Sequence, residues 1–245
     1  DGYSYQWYAG FKNVTSPTNE RTFLSTVLPY SAVGNSIPLI LPRESIDVPT
    51  LCALIAGMNS FPHDFCVRQK MGNVNLNFYL VKQFPIHTPE KYTPELLEYI
   101  VPRVLELTYT AWDLAAFADD VWTESGNVLH SAIEAQWQDN VQVTNGGHRG
   151  ARPPEWVKHS DQADKEFPHP PFKWEEERRT QLRTDLDGLY GHLYGLERDE
   201  LEYLLETFGG LEDEPRGLKE NDLKKYGEFK TKRLVLEAYD RLAGT

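Results

Sequence analysis

Residues 173–196 read KWEEERRTQLRTDLDGLYGHLYGL, and this stretch decides what the last third of the chain is. Trp174, Arg178, Leu182, Leu186, Leu189, Tyr190 and Leu193 recur at helical spacing and form one stripe. Glu175, Glu176 and Glu177 fall in the first turn, where they complement the helix dipole. Gly195 followed by Leu196 reads as a glycine stop with its apolar partner. Beyond it, Leu201, Leu204, Leu205 and Phe208 predict a short helix. A last helix from about Lys230 turns Leu234, Val235, Ala238, Tyr239 and Leu242 inward.

Upstream the texture changes. Residues 121–171 are rich in Gly, Asn, Gln, His and Pro, with Asn145-Gly146-Gly147 and two Pro-Pro pairs. They predict a long surface insertion with a short helix around Ile133 to Trp137, partly ordered because it carries Trp122, Trp137 and Trp156. Thr93-Pro94 is a cap followed by a pre-set φ. It opens a helix through Leu96, Leu97, Ile100, Val104 and Leu107, which Pro102 bends or divides, running on towards Trp112 and Phe117. The first part mixes strands and helix. Tyr3 to Phe11, Phe23 to Leu28, and Ile37 to Leu41 read as extended. Leu51, Leu54, Ile55 and Met58 predict a helix that Pro62 kinks or ends, with Phe61 and Phe65 continuing its face. Leu76 to Val81 reads as a strand, with Asn75, Asn77, Tyr79 and Val81 on one face and Leu76, Phe78 and Leu80 on the other. The expected fold class is α+β. A mixed part spans 1–90, a helical connector 91–120, the insertion 121–171 and a mainly helical C-terminal part 172–245.

Composition bounds function. Aromatic residues make up 12% of the 245, enough for a substantial core. No apolar run reaches the length of a membrane span and no signal peptide opens the chain. Starting at Asp1, it reads as a fragment of something longer or a trimmed product. Cys52 and Cys66 form neither a CxxC pair nor a metal spacing, so they read as reduced thiols in a cytoplasmic core. Net charge is -12, which argues against nucleic acid at face value. Residues 1–100 hold 7 Lys+Arg against 8 Asp+Glu, so the acidity lies further on. A DNA-facing surface therefore belongs to the first part, or to clusters such as Lys224, Lys225, Lys230, Lys232 and Arg233.

The sequence contains no GxGxxG, no phosphate-cradling GxxxxGK, no clustered Cys/His metal pattern and no serine elbow. His169-Pro170-Pro171-Phe172 has His where an amino-methyltransferase loop needs Asn or Asp, and reads as a Pro-rich turn. Glu228-Phe229-Lys230 matches half of a nuclease pattern and reads as a solvated helix start. No catalytic or metal site is complete, and no cofactor site is expected in this stretch.

Two segments carry groups suited to DNA. In Asn19-Glu20-Arg21-Thr22, either Arg21 and Thr22 grip phosphate, or Arg21 pairs with a carboxylate and Asn19 caps a turn. Arg68, Gln69, Lys70 and Asn73 can project into a groove, where Arg or Lys donates to guanine and Gln or Asn pairs with adenine. Alternatively they form an exposed helix C-terminus, where basic residues are favourable anyway. Asn75 and Asn77 are groove-facing or hydrogen-bonded in a polar core.

A set of segments, in order, resembles a known family. They are Asn19-Glu20-Arg21-Thr22, Leu54-Ile55-Ala56-Gly57-Met58-Asn59-Ser60-Phe61, Arg68-Gln69-Lys70, Leu76-Asn77-Phe78 and Lys82-Gln83-Phe84-Pro85. Leu107 to Leu114, Trp174 to Arg179, His192 to Leu196 and Gly227 to Arg233 complete it. Together they are similar to the C-terminal region of adenine-specific DNA methyltransferases of the type IIG and type ISP restriction–modification kind and their phage-defence relatives. The resemblance covers most of the chain outside 121–171. It implies a target-recognition region, with S-adenosylmethionine and catalysis in an upstream methyltransferase domain and endonuclease activity left open for the parent. It shifts Arg68, Gln69, Lys70, Asn73, Asn75 and Asn77 towards double-stranded DNA, with Arg21 and Thr22 anchoring phosphate. Pro62 and the insertion depart from the family pattern. The competing expectation is a scaffolding module that docks another defence-system subunit through its acidic helical part and Trp-bearing insertion.

Overall fold

The computed structural model describes residues 3–43, 45–72, 74–210 and 217–243. Among them are three strands and ten α-helices, an α+β fold whose C-terminal part is mainly helical. The strands β1 (Trp7–Phe11), β2 (Ser25–Pro29) and β3 (Leu39–Ile40) form one antiparallel sheet in the order β2-β1-β3. Tyr8 pairs with Leu28 and Ala9 with Ile40. Trp7, Ala9 and Phe11 alternate onto the buried face, as the period-two pattern requires.

The chain divides into two compact units, each made of three separate segments, rather than into four consecutive parts. One unit takes residues 1–11, 25–56 and 87–176. It holds the sheet, α1 (Val48–Met58) as far as Ala56, α4 (Pro94–Thr108), α5 (Ala115–Thr123) and α6 (Asn127–Val143). Thr93 caps α4 by accepting from the Leu96 N–H, and the helix runs unbroken through Pro102 rather than dividing there.

The expected insertion at 121–171 is corrected most. Residues 127–143 are a full helix, not a short one. Leu129, Ile133, Trp137 and Val141, four apart, are all buried. The polar composition hid this because part of the buried face is polar but satisfied. Asn140 donates to Glu106 at 2.8 Å and to the Lys173 carbonyl at 3.0 Å. Asn145, Gly146 and Gly147, at φ 54°, 103° and 56°, then turn the chain out of the helix, which is why Asn and Gly stand there. The following loop is pinned by two buried neighbours on α5. Asp119 accepts from His159, the Ser160 N–H and the Phe167 N–H, and Asp120 from Ser160 and the Trp7 indole. Burial pushes the Asp120 carboxyl up to about 6.

The other unit takes residues 12–24, 57–86 and 177–245. Its helices are α2 (Phe61–Lys70), α3 (Phe78–Val81), α7 (Glu176–Leu193, from Glu177), α8 (Arg198–Glu206), α9 (Leu218–Tyr226) and α10 (Lys230–Ala243). Leu182, Leu186, Leu189 and Tyr190 are buried along α7, but Trp174 precedes the helix and is exposed. Gly195, at φ 72°, ends α7, and the Leu196 N–H returns to the Gly191 carbonyl at 3.1 Å. Leu196 packs against a core of Phe61, Leu201, Leu205, Phe208, Val235 and Tyr239. Pro62 stands in the first turn of α2, where its missing N–H is harmless, so α1 ends and a new helix begins.

Candidate nucleic-acid interface

Every described candidate residue lies in this second unit, and the fold treats them in two ways. Arg21, Thr22 and Arg68 are drawn inward. The Arg21 guanidinium meets Asp187 at 2.5 Å, donates to the Asn59 carbonyl at 3.0 Å and lies 3.2 Å over the Phe61 ring. Thr22 is fully buried, its N–H donating to Asp64 at 2.9 Å and its hydroxyl to the Ser16 carbonyl. Arg68 donates to the Asn19 carbonyl, faces Asp64 at 3.9 Å and stacks 3.8 Å over Phe208, leaving its side chain 8% exposed. The expectation that these three reach DNA is therefore corrected. Arg21 takes its alternative reading, the partner of a carboxylate, and Thr22 has no solvent-facing group.

Two acids hold this frame. Asp64 accepts from the Thr22 and Phe23 N–H groups, and Asp187 from Arg21 and the Phe61 N–H at 2.9 Å. Burial pushes both carboxyls upward, while Arg21 and the N–H donors pull them back. The Arg68 pKa is lowered, first by burial and against the pull of Asp64. Beside them His63 is buried edge-on to Phe23 and Phe84, and burial drives it down to about 4.

The other candidates face outward. Gln69 and Lys70 end α2 and are exposed. Asn75 forms an isolated antiparallel bridge with Val14 and is half-buried. Asn73 lies outside the described residues. Asn77 is exposed and stands at the N-cap of α3. Over Phe78–Val81 the strand expected at 76–81 is that helix instead. The Leu80 and Val81 N–H groups both return to the Asn77 carbonyl, which places Leu76 and Leu80, four apart, on the buried side. Phe78 and Tyr79 are consequently both exposed, not on opposite faces. Lys70 donates to Gln83 at 3.2 Å, and Gln83 to the Tyr79 carbonyl at 2.8 Å, tying the end of α2 to α3.

Charge separates this run from the rest of the sequence. Residues 65–89 contain Arg68, Lys70 and Lys82 and no carboxylate. The unit that carries them has 17 Lys+Arg against 18 Asp+Glu, whereas the other has 8 against 19. The acid-free run was readable in the sequence, and Lys82 and Gln83 stand exposed within it. The basic cluster near the C-terminus is mostly neutralised. Lys230 pairs with Glu177, Lys232 with Glu202 and Glu206, and Arg233 with Glu228 and Glu237.

Among the described residues no group of His, Cys, Asp and Glu could hold a metal ion, and no helix is long and apolar enough to cross a membrane. Cys52 and Cys66 are free, and burial pushes both thiols up. The chain matches no family model, no curated protein and no solved structure.

Proposed function

We propose that this chain is the DNA-recognition part of a larger, cytoplasmic adenine-specific DNA methyltransferase of a restriction–modification or phage-defence system. It is itself non-catalytic, and S-adenosylmethionine belongs to the upstream methyltransferase domain. The observation that carries the reading is the acid-free run 65–89, whose exposed Gln69, Lys70, Asn77, Lys82 and Gln83 stand on a nearly neutral unit of an acidic chain. Amides and ammonium groups in this density suit base edges and phosphates. The resemblance of the Arg68-Gln69-Lys70 and Lys82-Gln83-Phe84-Pro85 segments points the same way. Arg21, Thr22 and Arg68 then serve as the frame that presents the corner, not as contacts.

Selection of duplexes from a random pool by the chain, followed by anisotropy titration, tests this. Gln69→Ala and Lys70→Ala should each weaken the selected duplex about fivefold or more. Unchanged affinity in both would count against the reading. The acidic unit favours a second reading, docking of a basic subunit of the same system, because Trp156 is 61% exposed there. Trp156→Ala would abolish that capture.

A further inference from the structure

The acid-free run exposes carbon as well as charge. Val74, Phe78, Tyr79 and Ile86, each more than half exposed, all lie within it. Tyr79 is 61% exposed and Phe78 57%. Single exposed aromatics are ordinary, but two adjacent ones on a fixed mount beside cations are not what solubility favours. The mount is rigid. Leu76, Leu80 and Phe84 are buried, Phe84 standing edge-on to Phe23 and His63. The Tyr79 carbonyl is tied through Gln83 to Lys70. Lys70 precedes the aromatic pair and Lys82 follows it, and both are exposed.

Aromatic side chains presented between cations stack on bases, and apolar wedges inserted at a base step unstack it. Resting on the DNA reading above, we infer that Tyr79, with Phe78 beside it, inserts at an opened base-pair step while Lys70 and Lys82 hold the flanking phosphates. The partner is duplex DNA containing an easily unstacked step, such as a pyrimidine–purine one.

The test uses the chain with selected duplexes in which fluorescent aminopurine replaces each adenine in turn. At one position the wild type should raise the emission severalfold, reporting lost stacking. Tyr79→Ala should abolish that rise and weaken binding about tenfold, with its melting temperature unchanged because the side chain is exposed. Tyr79→Trp should keep both. Tight binding with flat emission at every position, or a rise that survives Tyr79→Ala, overturns the wedge alone. The DNA reading then stands if Lys70→Ala still weakens the complex. Failure of the wild type to bind any selected duplex overturns both.

Discussion

Replacing Arg21 with Met should cost stability rather than DNA affinity. The guanidinium is the charge partner of Asp187, whose side chain is 3% exposed. Removing one member of such a pair costs about 3–5 kcal/mol, because the other charge stays buried and unpaired. Here Asp187 keeps the Phe61 N–H at 2.9 Å, and Arg21 is itself 19% exposed, so the lower end applies. Loss of the contact over Phe61 and the bond to the Asn59 carbonyl keeps it from falling further. We expect about 3 kcal/mol, or about 6–12 °C in Tm for a chain of this size. Removing both charges in Arg21→Met with Asp187→Leu should be cheaper than the sum of the single changes by about 2 kcal/mol, since no charge is then left buried and only the neutral Phe61 N–H and Asn59 carbonyl each lose a bond. Thermal and urea melts of the four proteins complete the cycle. An unchanged melt in Arg21→Met, together with a collapse of duplex binding, would refute the structural role and return Arg21 to the DNA surface.

Two further perturbations follow from the same unit. His63 titrates near 4 in the fold against 6.5 for a free ring, so the folded state resists a proton that the unfolded chain accepts. Its contribution is complete above about pH 6.5 and is lost as pH falls towards 4, by about 3 kcal/mol in all. His63→Leu should remove that slope, so the gap between wild-type and variant urea midpoints changes between about pH 7 and pH 4.5; parallel curves would contradict the buried neutral ring. Gly188 sits where a Cβ would come 2.7 Å from the Tyr239 backbone N and 2.8 Å from the Ala238 Cβ. Gly188→Ala should therefore cost at least about 2 kcal/mol by forcing α7 and α10 apart, and a wild-type melt would show that the helices do not cross so closely.

Much of the helical C-terminal part was legible because its helices bury one face and advertise it. The leucines of α7 and the Gly195-Leu196 stop obey local rules that need no partner to be read. What stayed hidden depends on long-range partners. Asn140 looks like a loop residue until Glu106 and the Lys173 backbone satisfy it. Arg21 and Arg68 look like DNA ligands until Asp187, Asp64 and Phe208, up to 166 residues away, absorb them. Period-two alternation over 76–81 lost to one helical turn at Phe78–Val81, which keeps Leu76 and Leu80 buried but turns Phe78, on their face in a strand, out to solvent. Gln69 and Lys70 stand exposed at the C-terminal end of α2, which the sequence offered as one of their two readings because basic residues are favourable there.

Salt dependence of duplex binding tests the acid-free corner most directly. Each phosphate contact contributes about 0.9 to the slope of log affinity against log salt. If both lysines grip phosphate, the account predicts that Lys70→Gln with Lys82→Gln lowers that slope by about 1.8 while the melting temperature holds. An identical slope in wild type and double variant would place the DNA elsewhere and contradict it.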